Sequence, residues 1–333
     1  MTAVAALPPL LADRARPLND RPIGDGPIVY VMRTALRTTE NPALEAAAAL
    51  AADRSAAAAV LHPLAAAEPF ANDRRFRFAL EGVREVAEGA AARGFGFGLH
   101  LAEAGGLDAA FDAIGASAGA VIVEDHPLPF ARDPAAAFAA RAGCAVIAVD
   151  ASCIAPMRMV DDDAVDRAFK FRKATKALYK ARLPLAVEPD AHAIGGAGAE
   201  KFLDELLIWR EMAWAWAWRT ADPDAYAEIV PDWAQESFAR RIDDRRPMLL
   251  DHETLARAES GDALWDAAQA SLMIQGELHN NMRMTWGKAP ISWTTDPETA
   301  LARILDLNHR YALDGLDPNS YGGILWCFGQ FDR

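Results

Sequence analysis

Cysteine is scarce. Cys144, Cys153 and Cys327 are the only three in 333 residues, an odd number with no CxxC spacing. Neither a disulfide framework nor a zinc site is indicated, no metal is expected, and a reducing, cytoplasmic compartment is the default. Positive charge is also short, because 34 Lys+Arg against 47 Asp+Glu leave a formal net charge of −13. Non-specific coating of nucleic acid is driven by counterion release at a basic surface, so that class of function is disfavoured; a local basic site is not. No charge-free apolar run reaches the roughly 18 residues that suggest a membrane span. The start, MTAVAALPPLLADRARPLNDRP, lacks the basic flank and long apolar core of a signal peptide. No GxGxxG follows the first strand-like run, which disfavours a standard dinucleotide site there.

What is present is apolar residue in quantity, 52% against 24% charged, enough for one large domain or two ordinary ones. Five short apolar runs read as strands: Ile28–Met32, Ala57–Leu61, Gly96–His100, Gly119–Val123 and Ala145–Val149. Alanine-rich stretches between them, such as Ala46–Ala52, read as helices. Alternation of this kind implies βαβ units and a parallel sheet flanked by helices, whose ligands bind at the carboxyl ends of the strands. The expected organisation is an α/β domain over 1–155, a connector over 156–199 and an all-helical domain over 200–333.

The connector holds seven Lys/Arg between Arg167 and Arg182 and no acid, with several charges on one helical face. A solvated face and a phosphate-facing patch are both compatible with it. Next comes Ile194–Gly198 (IGGAG), a loop entering a helix near Ala199, readable as a hinge or as an anion-holding turn. In the helical half, spacing places Phe202, Leu206, Trp209 and Ala213 on one face, and Leu301, Ile304, Leu305 and Leu307 on another. All nine tryptophans lie here, which on its own describes a tryptophan-rich core.

Three stretches carry more than packing: Leu207–Met212 (LIWREM), Leu278–Trp286 (LHNNMRMTW) and Leu307–Tyr321 (LNHRYALDGLDPNSY). Together they resemble the photolyase/cryptochrome family, most closely its class II cyclobutane pyrimidine dimer photolyases. Leu36–Leu44 (LRTTENPAL) and Phe76–Val86 (FRFALEGVREV) resemble the turn and helix that follow the family's first strand. The resemblance implies an N-terminal α/β domain followed by an all-α domain holding FAD. It also implies light-driven electron transfer from reduced FAD to pyrimidine dimers in DNA, with the lesion extruded from the base stack.

By the same resemblance, Asn308 faces flavin N5, where an amide carbonyl can accept from the N–H of the reduced ring. Arg283 and Asp314 match an ion pair beside the ring that stabilises negative charge. Asp317 and Asn319 match flavin or ribityl contacts; DPN is also ordinary turn chemistry. Glu211 matches the lesion-binding glutamate, with Trp214 and Trp326 as aromatic walls and Asn280 and Met284 lining the space between flavin and dimer. Trp265, Trp286 and Trp293 match an electron-transfer chain. Trp286 and Trp293 are two helical turns apart, but Pro290 between them can break the helix.

The chain departs from the family where a Ser/Thr- and aromatic-rich segment normally grips the FAD phosphates. Only PDAHAIGGAGAEKF stands there, so Gly195, Gly196 and Gly198, with Lys173 or Lys176, are the candidate replacements. Asn281 occupies a position where class I members often carry a lesion-strand Arg. The chain looks like a short photolyase-like member, reduced in the middle and at the C-terminus. Expected partners are DNA with pyrimidine dimers and no membrane, a monomer is expected, and no motif selects an antenna chromophore. Rim candidates for DNA are Arg167–Arg182 and Arg240, Arg241, Arg245 and Arg246. Alternatives to repair are a cryptochrome-like photosensor and an FAD-free scaffold.

Overall fold

The computed structural model describes residues 3–66, 68, 70–102, 107–186 and 197–332. They fall into two units, Met1–Met159 with Ala177–Glu188, and Val160–Lys176 with Pro189–Arg333. The loop residues Gly195 and Gly196 lie outside the described residues.

In the first unit all five expected strands form, as β2 (Ile28–Val31), β3 (Ala58–Ala65), β4 (Gly96–Ala102), β5 (Ala120–Glu124) and β6 (Ala145–Val149). Their apolar runs are nearly continuous because both faces are covered. Ile28 and Tyr30 enter one core with Leu44, Leu50 and Ile122. Val29 and Val31 enter the opposite core with Phe111, Phe138 and Val146, as the two-residue period of a strand requires. The helices are α1 (Pro9–Ala12), α2 (Pro42–Arg54), α3 (Asp73–Ala92), α4 (Asp108–Gly115) and α5 (Pro129–Arg141). α2 and α3 cover the first core and α4 and α5 the second. Buried alanines Ala43, Ala46 and Ala47 let α2 lie close to the sheet. One strand was not expected. β1 (Ala15–Pro17) pairs antiparallel with β6, so the sheet is mixed at that edge.

The strand order β1-β6-β5-β2-β3-β4 puts the reversal of chain direction between β2 and β5. Open α/β sheets usually seat ligands at such a point. Here Glu124, the last residue of β5, fills it. Its Oε1 accepts from the Tyr30 hydroxyl (2.9 Å) and the backbone N–H of Arg33 (3.1 Å) and Ala35 (3.0 Å). Oε2 accepts from the Thr34 N–H (2.8 Å) and the Thr34 hydroxyl.

The basic stretch forms α6 (Ala168–Ala186), which passes from the second unit to the first after Lys176. Lys170 pairs with Asp166 at 2.7 Å, Arg172 with Asp204, and Arg182 with Asp13 at 2.7 Å. These three cations are therefore spent on the protein itself. The helical unit continues with α7 (Ala197–Asp204), a π-helical turn (Glu205–Arg210) and α8 (Glu211–Ala217). After these come α9 (Tyr226–Ile229), α10 (Asp232–Ala239), α11 (His252–Ala256), α12 (Ala263–Gln275) and α13 (Asn280–Lys288). A 3-10 turn (Ala289–Ser292), α14 (Pro297–Tyr311) and α15 (Pro318–Cys327) complete it.

Leu301, Ile304, Leu305 and Leu307 are buried as their spacing predicts. The Phe202–Ala213 stripe is not a single face: Phe202 is 65% exposed and Ala213 is buried. The reason is the π turn, which widens the helix by a residue and breaks the 3.6-residue register. Helix starts follow local chemistry. Asp262, Asp296 and Asp317 cap α12, α14 and α15, and Pro297 and Pro318 occupy first-turn positions where no N–H is needed. Among the described residues no helix is long and apolar enough to cross a membrane.

Candidate functional site

Three helices of the second unit, α13, α14 and α15, bring one polar cluster together. Arg283 of α13 grips Asp314 with two bonds, Nη1 to Oδ2 at 2.8 Å and Nη2 to Oδ1 at 3.1 Å. The pair sits at the edge of the protein interior, with the Arg283 side chain 11% exposed and that of Asp314 46%. Arg283 Nη1 also donates to Ser320 Oγ at 3.1 Å. Asn308, in the last turn of α14, is fully buried. Its Nδ2 donates to Ser320 Oγ at 2.8 Å and to the Gly315 carbonyl at 3.4 Å. The Asn308 Oδ1 is buried and accepts no hydrogen bond among the described residues.

Asp317 lies close by in sequence and does a different job. Its carboxylate caps α15 through the Asn319 N–H at 2.8 Å and accepts from Trp214 Nε1 at 3.3 Å. Burial holds its carboxyl above the usual range, opposed by the nearby Arg210 guanidinium. Asn319 itself is exposed. Arg210 also lies over the Trp214 ring, 5.1 Å from its centroid.

Glu211 and Trp214 lie within α8, every residue of which is buried. α8 and α15 approach closely because Gly322 has no side chain. A Cβ there would stand 2.7 Å from the Ala213 Cβ. Trp326 on α15 is partly exposed and carries the Lys288 ammonium 4.6 Å from its ring centroid. Met284 is half-buried, its sulfur 4.0 Å from Cys327 Sγ. Burial pushes the Cys327 thiol up to about 11.

The three tryptophans singled out as a chain are in sequential contact. Trp286 and Trp265 stack with centroids 6.2 Å apart and planes at 9°. Trp265 meets Trp293 edge-on at 5.6 Å and 75°. Trp265 is therefore the middle member. α13 ends at Lys288 and a 3-10 turn follows, so Trp286 and Trp293 share no continuous helix face. Trp265 Nε1 donates to the Trp286 carbonyl (2.9 Å) and Trp286 Nε1 to Gln269 Oε1 (3.0 Å), so both indoles have fixed orientations.

Other singled-out residues stand apart from this cluster. Asn280 is exposed in the first turn of α13, next to Asn281, whose N–H meets the His279 cap at 3.3 Å. Lys173 and Lys176 are exposed on α6, Gly198 lies in α7, and Gly196 falls outside the described residues. Arg240 and Arg241 pair with Glu236 (3.2 Å) and Asp244 (3.8 Å) at the surface.

Two residues that matter here went unnoticed in the sequence. Ser320 takes bonds from both Asn308 and Arg283, and Gln269 holds Trp286. Neither is legible from local pattern, because their partners lie 12 to 37 residues away.

The family model for DNA photolyase matches residues 28–191. A deoxyribodipyrimidine photo-lyase of Methanothermobacter thermautotrophicus is 38% identical over 135 residues, 40% of this chain and 30% of that protein. One from Potorous tridactylus is 38% identical over 125 residues, 38% of this chain and 23% of that protein. The aligned stretches thus span less than a third of these relatives' length. A bacterial class III photolyase from Agrobacterium tumefaciens shares the fold, with a TM-score of 0.57 over 92% of this chain and 80% of that one at 14% identity. Relatives and architecture agree, and the chain belongs to the photolyase/cryptochrome family.

Proposed function

We propose that this chain is a light-driven DNA-repair lyase that splits cyclobutane pyrimidine dimers, of class II kinship, with FAD bound non-covalently in its helical unit. The observation that carries the reading is the Asn308 carbonyl oxygen, buried and accepting no bond among the described residues. An acceptor left in that state costs roughly 1–3 kcal/mol unless a donor reaches it. The N5–H of reduced flavin is a donor of the right kind. Arg283 supports the same fit, because a guanidinium whose partner is half-exposed Asp314 can stabilise an anionic ring without leaving a second charge unpaired. The named relatives point the same way.

Bound flavin supplies light absorption and the electron for ring cleavage; the remaining work falls to the protein. Asn308 offers the acceptor, and Arg283 with Asp314 sets the local charge. Trp286, Trp265 and Trp293 provide aromatic contacts along which electrons can enter from protein to cofactor. Glu211 supplies a buried carboxyl for the polar edge of the extruded dimer, with Trp214, Trp326 and Met284 as its walls. Phosphate binding is assigned to Gly195, Gly196 and Gly198 with Lys173 or Lys176. The partner is lesion-bearing DNA, recognised mainly through the extruded base because the net charge of −13 gives little non-specific affinity.

The test is direct. The chain is loaded with FAD, reduced, and mixed with ultraviolet-irradiated thymine-containing DNA under blue light or in darkness. Loss of dimers in the illuminated sample alone supports the reading, and equal dimer content in both samples defeats it.

A further inference from the structure

We infer that Ser320 is a positioning residue, setting the direction of the Asn308 amide and tying it to the Arg283–Asp314 pair. The inference rests on the reading that Asn308 meets the flavin.

A carboxamide has two orientations of almost identical shape, and only its partners select between them. For Asn308 both amide protons are engaged, one with Ser320 Oγ at 2.8 Å and one with the Gly315 carbonyl at 3.4 Å. Turning the group over would set its own carbonyl against that of Gly315, acceptor facing acceptor. It would also require Ser320 to donate. Ser320 is held as an acceptor by a second group, because Arg283 Nη1 donates to the same Oγ at 3.1 Å. With a guanidinium on one lone pair and the amide on the other, the hydroxyl proton is directed away from both.

Ser320 is itself placed by the fold. It is 1% exposed in the first turn of α15, and its N–H bonds the Asp317 carbonyl at 2.9 Å. Arg283 is held in turn by two bonds to Asp314. The result is an ordered series, Asp314 to Arg283 to Ser320 to Asn308, that leaves Oδ1 facing outward from the series before any donor arrives. An acceptor fixed in advance need not reorganise when the ring becomes reduced, so it favours the reduced form.

The test compares Ser320→Ala and Ser320→Thr with the parent chain, using asparagine labelled with nitrogen-15. In the ligand-free protein, S320A should speed solvent exchange of the Asn308 carboxamide protons at least about tenfold. The Asn41 carboxamide, buried in the other unit and bonded to the Ala35 (3.1 Å) and Arg37 (2.9 Å) carbonyls, should not change. In FAD-loaded protein the same variant should lower the two-electron midpoint potential by a tenfold shift in equilibrium, about 30 mV. S320T keeps the oxygen and should restore both readouts. Unchanged exchange and potential in S320A would overturn the inference, as would S320T behaving like S320A.

If S320A loses the Asn41 signal and so does not fold, Ser320→Cys takes its place. A thiol is a weaker acceptor and should give intermediate exchange, whereas parent values would overturn the inference. Failure of the parent chain to retain FAD would defeat the flavin reading alone, since exchange in the ligand-free protein still decides the role of Ser320.

Discussion

Trp265 and Trp286 lie with their rings parallel to within 9° and 6.2 Å apart, and the Trp265 indole N–H is bonded to the Trp286 backbone carbonyl at 2.9 Å. Stack and hydrogen bond together hold the pair in one arrangement. Trp293 meets only the Trp265 side of it among the recorded ring contacts.

A middle member is the position where a gap costs most. We predict that Trp265→Phe slows photoreduction of bound oxidised flavin at least about tenfold, because phenylalanine is much harder to oxidise and loses the stacking area of an indole. Flavin content should stay near that of the parent. Trp218→Phe, outside the contacting series, should photoreduce at the parent rate. Following flavin absorbance under blue light checks both, and equal rates for all three proteins would remove Trp265 from the route.

The ion pair should respond unequally to truncation. Arg283→Ala removes bonds to Asp314 and Ser320 from a side chain that is only 11% exposed. It is expected to cost about 2–3 kcal/mol, in the range for bonds to charged groups. Asp314→Ala removes a carboxylate that is 46% exposed, where solvent screens much of the attraction, so about 1 kcal/mol is expected. Urea unfolding of the two variants should rank them in that order.

How much of this was legible in the sequence follows from the range of the forces involved. The five parallel strands are short-range patterns of apolar residue, and they form where the pattern places them. β1 has three residues, one a proline, and owes its existence to the edge of β6; no local pattern could announce it. The Leu301–Leu307 face is readable because α14 keeps a regular 3.6-residue period from its Asp296 cap. The Phe202–Ala213 stripe failed because a π turn lies inside it. Arg283 and Asp314 are 31 residues apart, and only the family resemblance brought them together. Ser320 escaped notice altogether, being a small residue in a turn-like DPNS run.

Adjacent glycines of α15 give a contrast that isolates close packing. Gly322→Ala would place a methyl 2.7 Å from the Ala213 Cβ, too close without moving α8. A loss of about 1–3 kcal/mol is expected. At Gly323 the nearest atom to a new Cβ is the Met284 methyl at 3.5 Å, an ordinary contact. Gly323→Ala should be neutral or stabilising by up to about 1 kcal/mol through helix propensity. Thermal unfolding midpoints should move in opposite directions, or fall for Gly322→Ala alone.

Cys327 supplies a dependence on alkaline pH. Burial raises its thiol to about 11 in the folded chain, against an ordinary value of 9.0. A raised value means the folded form keeps its proton while the unfolded form loses it. Its contribution is therefore fully present below about pH 9 and is lost as the pH rises through about 11. Two pKa units correspond to roughly 2–3 kcal/mol. Cys327→Ala cannot show that part of the loss. Between about pH 8 and about pH 11, the parent should lose about 2 kcal/mol more stability than the variant in urea titrations. Parallel curves would show that the thiol is not held neutral.

The π turn over Glu205–Arg210 bears on how this protein can change. A helix advances about 100° per residue, so one residue more or fewer turns everything beyond it by that angle. Removal of a single residue from the widened turn would let the helix return to its regular period and would swing Glu211 and Trp214 away from α15 together. Two side chains that point substitutions alter one at a time are thus tied to a single insertion or deletion, and the sequence around Trp209 tolerates replacement far better than a change in length.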